Sequence, residues 1–311
     1  MPANLLYYRS MLAGNLVTTI SSDGLEHKGF WVDQQSDIAV FHSHGTSGNF
    51  YHNEFIEKEA EMLSNKKVSF LTANNRGHDV YADIRKHIGN KIEWYSGGGG
   101  FEKFEDCLID ISAWLDFLEN QGVNKIILQV HSLTQKILYY QWKKKDKRVI
   151  GQIHISPCND AGMVKLRVGE KKYKQINSLV SRLIKKGKGD ELLPKECFIV
   201  CPMSALAYYG YLTDEGPGNL FPYHDPTSKK WEALKSIKEP ILATFGENDK
   251  YINGSCKENA AHFVSHLFEV KAESSEKARA VIIPHANHSY IGTESLLIRI
   301  ISDWLLNTFS I

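Results

Sequence analysis

The chain has 311 residues, of which 42% are hydrophobic, and its formal net charge is +1 at pH 7. This length and apolar content allow one large α/β domain or a core with an insertion. The near neutrality argues against nucleic acid as a partner, and no membrane span is expected because no run of about 18 apolar residues occurs.

Short apolar runs alternate with segments of helical spacing along most of the chain. A Ser-Asp-Gly turn at residues 22–24 separates two strand-like runs, which predicts a hairpin over residues 16–32. Further strands are predicted at residues 38–41, 68–71, 126–130, 149–155, 241–245 and 280–283, and helices at residues 54–63, 104–118 and 297–305. This alternation predicts a doubly wound α/β fold, with a mostly parallel sheet covered on both faces.

Residues 157–238 interrupt the alternation. They contain several helix-like pieces and no buried strand pattern, so we expect a helical cap inserted after the sixth strand of a core made of residues 1–156 and 239–311. Between Lys165 and Lys188 this segment carries nine Lys or Arg residues and a single acid, Glu170. We interpret the stretch as a solvated helix face; the alternative is a surface that attracts an acidic substrate or one bound to a carrier protein.

A candidate nucleophile follows the strand predicted at residues 126–130. The apolar run stops at His131 and Ser132, and a segment with helical spacing follows directly. Such a strand–turn–helix layout holds a serine hydroxyl above the end of a sheet, beside helix N–H groups that can stabilise an oxyanion. The alternative role for Ser132 is to cap the helix.

An acid and a histidine follow Ser132 along the chain. Asp249 comes after the strand predicted at residues 241–245, and His288 comes after the last predicted strand. Serine, acid and then histidine is the chain order of the α/β-hydrolases, and it differs from the orders of chymotrypsin and subtilisin. The sequence therefore resembles the α/β-hydrolase superfamily, in particular serine esterases and thioesterases with an inserted cap.

The resemblance implies a role for each of these residues. Ser132 would be the nucleophile, His288 the general base, and Asp249 the acid that orients the histidine. Residues 44–48, His-Gly-Thr-Ser-Gly, resemble the oxyanion loop of this superfamily. The backbone N–H groups of Thr46 and Leu133 would then bind the oxyanion.

Other residues compete for two of these roles. His285 is the alternative histidine, and Glu247 and Asp160 are alternative acids. Asp249 could also serve as a helix-capping carboxylate without a role in catalysis.

The strand–turn–helix segment around Ser132 is a candidate nucleophile elbow, but its sequence departs from the superfamily pattern G-x-S-x-G. Val130 and Thr134 stand where the superfamily has small residues that let the tight turn close. Two β-branched side chains crowd that space, so we expect either a slightly opened turn or reduced hydrolytic efficiency.

A group of aromatic side chains in residues 157–238 is expected to form a pocket wall for an acyl or aromatic group. The alternative is that these residues pack the cap against the core. They are Tyr208, Tyr209, Tyr211 and Phe221, with Leu212 and Tyr223 beside them.

Three further features are kept out of the predicted site. The Gly-rich residues 97–100 follow no predicted strand and precede no Lys-Ser/Thr pair, so a flexible loop is predicted instead of a phosphate cradle. His42 and His44 are close in sequence, but no metal-binding spacing such as H-E-x-x-H occurs and no metal is expected. The cysteines are odd in number and lack C-x-x-C spacing, which predicts reduced thiols and makes Cys158 a buried structural thiol; they are Cys107, Cys158, Cys197, Cys201 and Cys256.

The predicted function is hydrolysis of a carboxylic ester or thioester by a Ser-His-Asp serine hydrolase, through an acyl-enzyme and without a cofactor. The predicted partner is a small-molecule acyl substrate. The alternatives are acyltransferase or lyase chemistry at the same site, and a non-catalytic binding protein with a hydrolase fold. Residues 1–20 lack the basic segment and apolar core of a secretory signal, so a cytoplasmic location is expected.

Overall fold

The computed structural model describes residues 12–254 and 260–311. Its strands are β1 (Asn15–Ile20), β2 (Glu26–Val32), β3 (Ile38–Ser43), β4 (Ser69–Ala73), β5 (Ala82–Ile88), β6 (Lys91–Gly97), β7 (Lys125–His131), β8 (Val149–Ile155), β9 (Ile241–Gly246) and β10 (Ala278–Ile283). Its α-helices are α1 (Phe55–Asn65), α2 (Cys107–Asn120), α3 (Gln135–Lys144), α4 (Asp160–Val168), α5 (Glu170–Lys185), α6 (Ala205–Leu212), α7 (Glu232–Lys235), α8 (Lys250–Asn253), α9 (Ala260–Lys271) and α10 (Glu294–Phe309).

One large sheet runs in the order β1-β2-β4-β3-β7-β8-β9-β10. β2 pairs antiparallel with both of its neighbours, β1 and β4, whereas neighbouring strands from β4 to β10 are parallel. Every residue of β3, β4 and β9 is buried, which explains why these strands are largely apolar in sequence. The predicted mostly parallel sheet is confirmed.

Helices cover this sheet on both faces, as the doubly wound prediction requires. α1 and α10 pack on one face together with strand residues such as Val40 and Ile127. α2 and α3 pack on the other face with Phe41 and Leu128. Successive strand residues face opposite sides of a sheet, so each central strand contributes to both layers. Within residues 12–254 and 260–311, no helix combines the length and hydropathy needed to cross a bilayer.

The hairpin of β5 and β6 and the helix α9 are absent from the sequence prediction. β5 and β6 form a separate antiparallel hairpin, in which Ala82 and Ile84 are buried beside Leu25. Charged residues at many other positions of this hairpin, such as Arg85 and Lys91, obscure its strand pattern.

Residues 97–100 were predicted as a flexible loop, and the structure corrects this. β6 ends at Gly97, so a strand does precede them, and the next three amides donate hydrogen bonds to backbone carbonyls of residues 76–80. A Cβ atom on Gly99 would collide with the Ser47 side chain. Gly99 therefore lets the loop pack closely against Ser47.

Residues 157–238, here called the cap segment, lie between β8 and β9 and contain α4, α5, α6 and α7. Within this segment the described β-structure is one isolated bridge between Leu192 and Ser204. Its buried side chains share one hydrophobic cluster with core residues such as Leu133 and Phe245. The cap segment thus packs directly on the sheet and helices of the core.

Candidate active site

Ser132 lies in a sharp turn between β7 and α3. Its φ is +74°, a value that L-residues other than glycine rarely adopt. The Leu133 N–H donates to the His131 carbonyl at 3.1 Å across the turn, and the Ser132 N–H donates to the Ile155 carbonyl of β8 at 2.8 Å. These contacts define a γ-turn with positive φ at its central residue. The serine is therefore held in a strained conformation by the sheet on one side and the helix on the other.

The β-branched residues on either side of this turn do not push it away from the sheet. Val130 is fully buried with the apolar side chains under α2 and α3, and Thr134 is fully buried as well. Neither side chain lines the cavity at Ser132. The hydroxyl of Thr134 has no hydrogen-bond partner among the described residues. The two side chains that were expected to crowd the turn are thus accommodated inside the core.

His288 joins Ser132 to Asp249 by two hydrogen bonds. The Ser132 Oγ lies 3.0 Å from His288 Nε2, and His288 Nδ1 lies 2.7 Å from Asp249 Oδ2. The carboxylate fixes the tautomer: Nδ1–H donates to Asp249, which leaves Nε2 to accept the Ser132 proton. The three residues that the sequence singled out are therefore brought together in the geometry of a nucleophile, a base and an orienting acid.

Asp249 is fully buried and also caps α8. Its Oδ1 accepts from the N–H groups of Tyr251 at 2.8 Å and Ile252 at 3.3 Å. Burial alone would raise its pKa, but hydrogen bonds and attraction from His288, together with contacts from Ser156 and the Tyr251 amide, lower the pKa below the ordinary value. The capping role and the contact with His288 thus coexist in one carboxylate.

The alternative histidine and the alternative acids lie elsewhere. His285 is exposed, and its Nδ1 lies 3.6 Å from Glu247, so these two residues face each other and neither belongs to the hydrogen-bond chain from Ser132 to Asp249. Asp160 begins α4, where its Oδ2 accepts from Gln135 Nε2 at 2.8 Å. Burial raises the pKa of Asp160 to about 6, although the Gln135 bond and the nearby His288 oppose the shift. Asp160 lines the cavity but does not hydrogen-bond to His288.

The loop after β3 approaches Ser132 as closely as the resemblance implied. A Cβ atom on Gly45 would lie 2.8 Å from Ser132 Cβ and 2.6 Å from the His131 carbonyl, so glycine is required here. Thr46 lines the cavity, and among the described residues its N–H has no acceptor. The second expected oxyanion donor, the Leu133 N–H, is not free, because it already donates to the His131 carbonyl within the turn.

Two buried neutral histidines hold the loops of the site. His131 Nε2 lies 2.7 Å from the His288 carbonyl, and His44 Nδ1 lies 2.8 Å from the Gly45 carbonyl. Burial, with repulsion from His288, lowers the pKa of His131 to about 3, and burial lowers the pKa of His44 well below its ordinary value. Because both rings stay neutral, each can donate one N–H to a backbone carbonyl and fix a loop.

The cavity above Ser132 has a volume of about 240 Å³. Its residues from the cap segment are Asp160, Met163 and Val200. Its residues from the core are His44, Gly45, Thr46, Ser47, Gly48, His52, Asn53, His131, Ser132, Tyr251, His288 and Ser289.

The prediction that aromatic side chains of the cap segment form a wall of this cavity is wrong. None of Tyr208, Tyr209, Tyr211 and Phe221 lines this cavity. Tyr208, Tyr211 and Phe221 are buried between the cap segment and the core, and Tyr209 packs against the same cluster. Apolar aromatic rings gain more from this burial than from lining a polar cavity. The alternative interpretation, packing of the cap on the core, is the one that the structure supports.

The described cysteines are free, and Cys158 is buried beside the site. Burial raises the pKa of the Cys158 thiol well above its ordinary value, so the thiol is protonated. This agrees with a structural role. Cys256 lies outside the described residues.

Solved α/β-hydrolase structures superpose on most of this chain. Est1E from Butyrivibrio proteoclasticus, solved with ferulic acid bound, has a TM-score of 0.60 at 15% identity, with 95% of this chain and 100% of that chain covered. An esterase from Pyrococcus furiosus gives 0.59 at 14% identity, covering 95% and 91%. The α/β hydrolase GrgF from Penicillium sp. gives 0.64 at 16% identity, covering 96% and 100%. The protein therefore has the α/β-hydrolase fold.

A family model narrows this assignment. Residues 94–306 match the family described as "Protein of unknown function (DUF1749)". Since the match spans more than half of the chain, the protein belongs to this family. The matched region includes Ser132, Asp249 and His288.

A more distant similarity extends to UvrABC system protein C of Streptococcus agalactiae. It is 19% identical over an alignment of 249 residues, and the match covers 74% of this chain and 38% of that protein. The chain thus spans well under half the length of the curated relatives it matches. An identity of 19% does not show membership of their family.

Proposed function

We propose that this protein is a serine hydrolase that cleaves a carboxylic ester or thioester through an acyl-enzyme intermediate. The observation that carries the proposal is the hydrogen-bond chain from Ser132 through His288 to Asp249, with distances of 3.0 and 2.7 Å. The positive φ of Ser132 supports it, because such strain persists where surrounding structure holds a functional side chain in place. The esterases with the same fold support the reaction class.

In the proposed reaction, the Ser132 Oγ attacks the carbonyl carbon while His288 Nε2 takes the hydroxyl proton. The buried carboxylate of Asp249 stabilises the imidazolium that forms. His288 then gives the proton to the leaving alkoxide or thiolate, which departs and leaves an acyl-Ser132 ester. A water molecule repeats the sequence and releases the carboxylic acid. These steps need no cofactor.

The oxyanion would be bound mainly by the Thr46 N–H in this scheme. This amide has no described acceptor and lies in the loop that Gly45 brings against Ser132. The Leu133 N–H would have to share its proton between the His131 carbonyl and the oxyanion, since it already donates at 3.1 Å. A shared donor stabilises the transition state less than a free one, so we expect slower hydrolysis than with two free donors.

The direct test is labelling by a fluorophosphonate, which forms a bond with an activated serine. Wild-type protein should be labelled, and Ser132→Ala should not be. Ser289→Ala is the matched control, because it removes another hydroxyl that lines the same cavity and should leave labelling in place. Turnover of an activated ester should fall on the order of a million-fold in Ser132→Ala. Labelling that persists in Ser132→Ala would refute the assignment of the nucleophile.

A further inference from the structure

The cavity at Ser132 carries an anionic group that the proposed chemistry does not use. Asp160 is the one carboxylate among the residues that line it, and these described lining residues include no lysine or arginine. Asp249, the other nearby carboxylate, is fully buried behind His288 and bonded to it. Asp160 is therefore the acidic side chain that a ligand in this cavity would meet.

Asp160 has little compensation from the protein. Its side-chain hydrogen bond from another residue is the one from Gln135, a neutral amide, and the described residues give it no ion-pair partner. His44 and His131, which also line the cavity, are neutral and supply no positive charge. A carboxylate that is partly removed from water and lacks a cation favours a ligand that brings one.

An alternative explanation is that Asp160 serves α4, because a carboxylate in the first turn interacts favourably with the helix dipole. The cap of this helix is already supplied by Asn159, whose Oδ1 accepts from the Gly162 N–H at 2.9 Å. The helix role and a ligand role differ in one consequence. A residue that serves only the helix has no influence on which substrates are preferred.

We propose that Asp160 is a specificity determinant, which selects esters or thioesters that carry a cationic ammonium group. The inference rests on the proposed hydrolase function. Tyr251 also lines the cavity, and aromatic rings attract ammonium groups. A substrate with a free carboxylate would be repelled by the same Asp160.

The test compares isosteric substrates that differ in charge. The first pair is the ethyl ester of γ-aminobutyric acid and ethyl pentanoate, which place an ammonium or a methyl group at the end of the acyl chain. The second pair is acetylcholine and its neutral carbon isostere, which place the charge in the alcohol half. We expect kcat/KM to favour the cation about 10- to 100-fold in at least one pair. The primary ammonium of the first pair can donate a charged hydrogen bond to Asp160, whereas the quaternary ammonium of acetylcholine has no N–H and would be attracted by its charge and by cation–π contact.

Asp160→Asn keeps the size of the side chain and one oxygen that can accept from Gln135, but it removes the charge. It should bring the preference ratio of that pair close to one. Asp303→Asn is the matched control, since Asp303 is exposed on α10 and does not line the cavity; its ratio should equal that of wild type. If the ratio of kcat/KM values is the same in wild type and Asp160→Asn, the proposal is overturned, and interaction with the dipole of α4 remains as the role of Asp160.

A binding measurement separates this proposal from the hydrolase proposal. Calorimetry with Ser132→Ala measures the affinity for each intact ester without turnover, and the double variant Ser132→Ala/Asp160→Asn gives the contribution of the charge. Tighter binding of the cationic ester that is lost in the double variant supports Asp160 as the determinant even if wild type hydrolyses neither ester. Equal affinities for the two esters would overturn it even if wild type hydrolyses both.

Discussion

The candidate active site has two halves of different origin. The core half consists of Ser132, Asp249 and His288, which follow β7, β9 and β10. The cap half consists of Asp160, Met163 and Val200, which come from α4 and from a loop. Parallel strands end at the same edge of a sheet, so residues that directly follow them lie close together at that edge. In the proposed function, the core half supplies the chemistry and the cap half supplies the selectivity.

After Ser132→Ala, the largest effect expected in the core half is that of Asp249→Asn. Loss of the carboxylate allows the wrong histidine tautomer, and kcat should fall by roughly 10⁴-fold. The measurement is steady-state turnover of a neutral activated ester, with circular dichroism to check folding. Asp160→Asn is the comparison variant. If it were the more damaging of the two, the acid would belong to the cap half and the division would fail.

Aromatic residues of the cap segment should matter for stability and not for selectivity. Phe221 is 1% exposed and packs against Tyr223 and Phe268. Phe221→Ala should lower the free energy of unfolding by about 4 kcal/mol, as for other buried phenylalanines. Its KM should stay within about twofold of wild type.

The control for Phe221→Ala is Val200→Ala. Val200 lines the cavity and is 39% exposed, so its truncation should change KM while stability changes by less than about 0.5 kcal/mol. Urea unfolding and substrate titration measure both quantities. A shift in KM for Phe221→Ala with unchanged stability would restore the aromatic wall predicted from the sequence.

Glu59, a buried acid on α1, should make the free energy of unfolding depend on pH. Burial raises the pKa of Glu59, on α1, to about 8, although a hydrogen bond from Gln129 opposes the shift. The folded protein thus keeps a proton that the unfolded chain loses near 4.5. The stability from this group is complete below pH 4.5 and is lost as the pH rises to about 8, by at most about 1.4 kcal/mol per pH unit.

Glu59→Gln should remove this dependence. Between pH 6.5 and 8 the stability of wild type relative to the variant should fall by about 2 kcal/mol. Comparing the two proteins at each pH cancels the contribution of the buried histidines, which are present in both. Urea unfolding at four pH values measures the difference. A constant difference across this range would contradict the buried, protonated Glu59.

The smallest expected effect concerns the elbow. Thr134 is fully buried and its hydroxyl has no described partner, a condition that costs free energy. Thr134→Val keeps the shape and removes the hydroxyl, so stability should rise by about 1 kcal/mol. Thr134→Ser, which keeps the hydroxyl and removes the methyl group, should instead lower stability. A stabilising serine and a destabilising valine would indicate that the hydroxyl has a partner after all.

The amino-acid sequence by itself determined the core. The apolar runs that became β3, β4, β7, β8, β9 and β10 are local patterns, and each is readable because a parallel strand buried on both faces is largely apolar along its length. Ser132, Asp249 and His288 follow three of these runs in an order shared with a known superfamily. The sheet geometry then brings them together without any information from the loops.

Only the tertiary structure shows which residues of the cap segment line the cavity and which backbone N–H groups at Ser132 are free. Tyr208 and Phe221 are apolar enough to line a pocket or to fill a core, and the packing of the cap segment on the sheet chose the core. The Leu133 N–H is engaged because the turn closes tightly around Ser132. Asp160 faces the cavity because α4 begins beside Gln135 on α3. These outcomes depend on contacts between residues distant in sequence, which no local pattern of apolar and polar residues encodes.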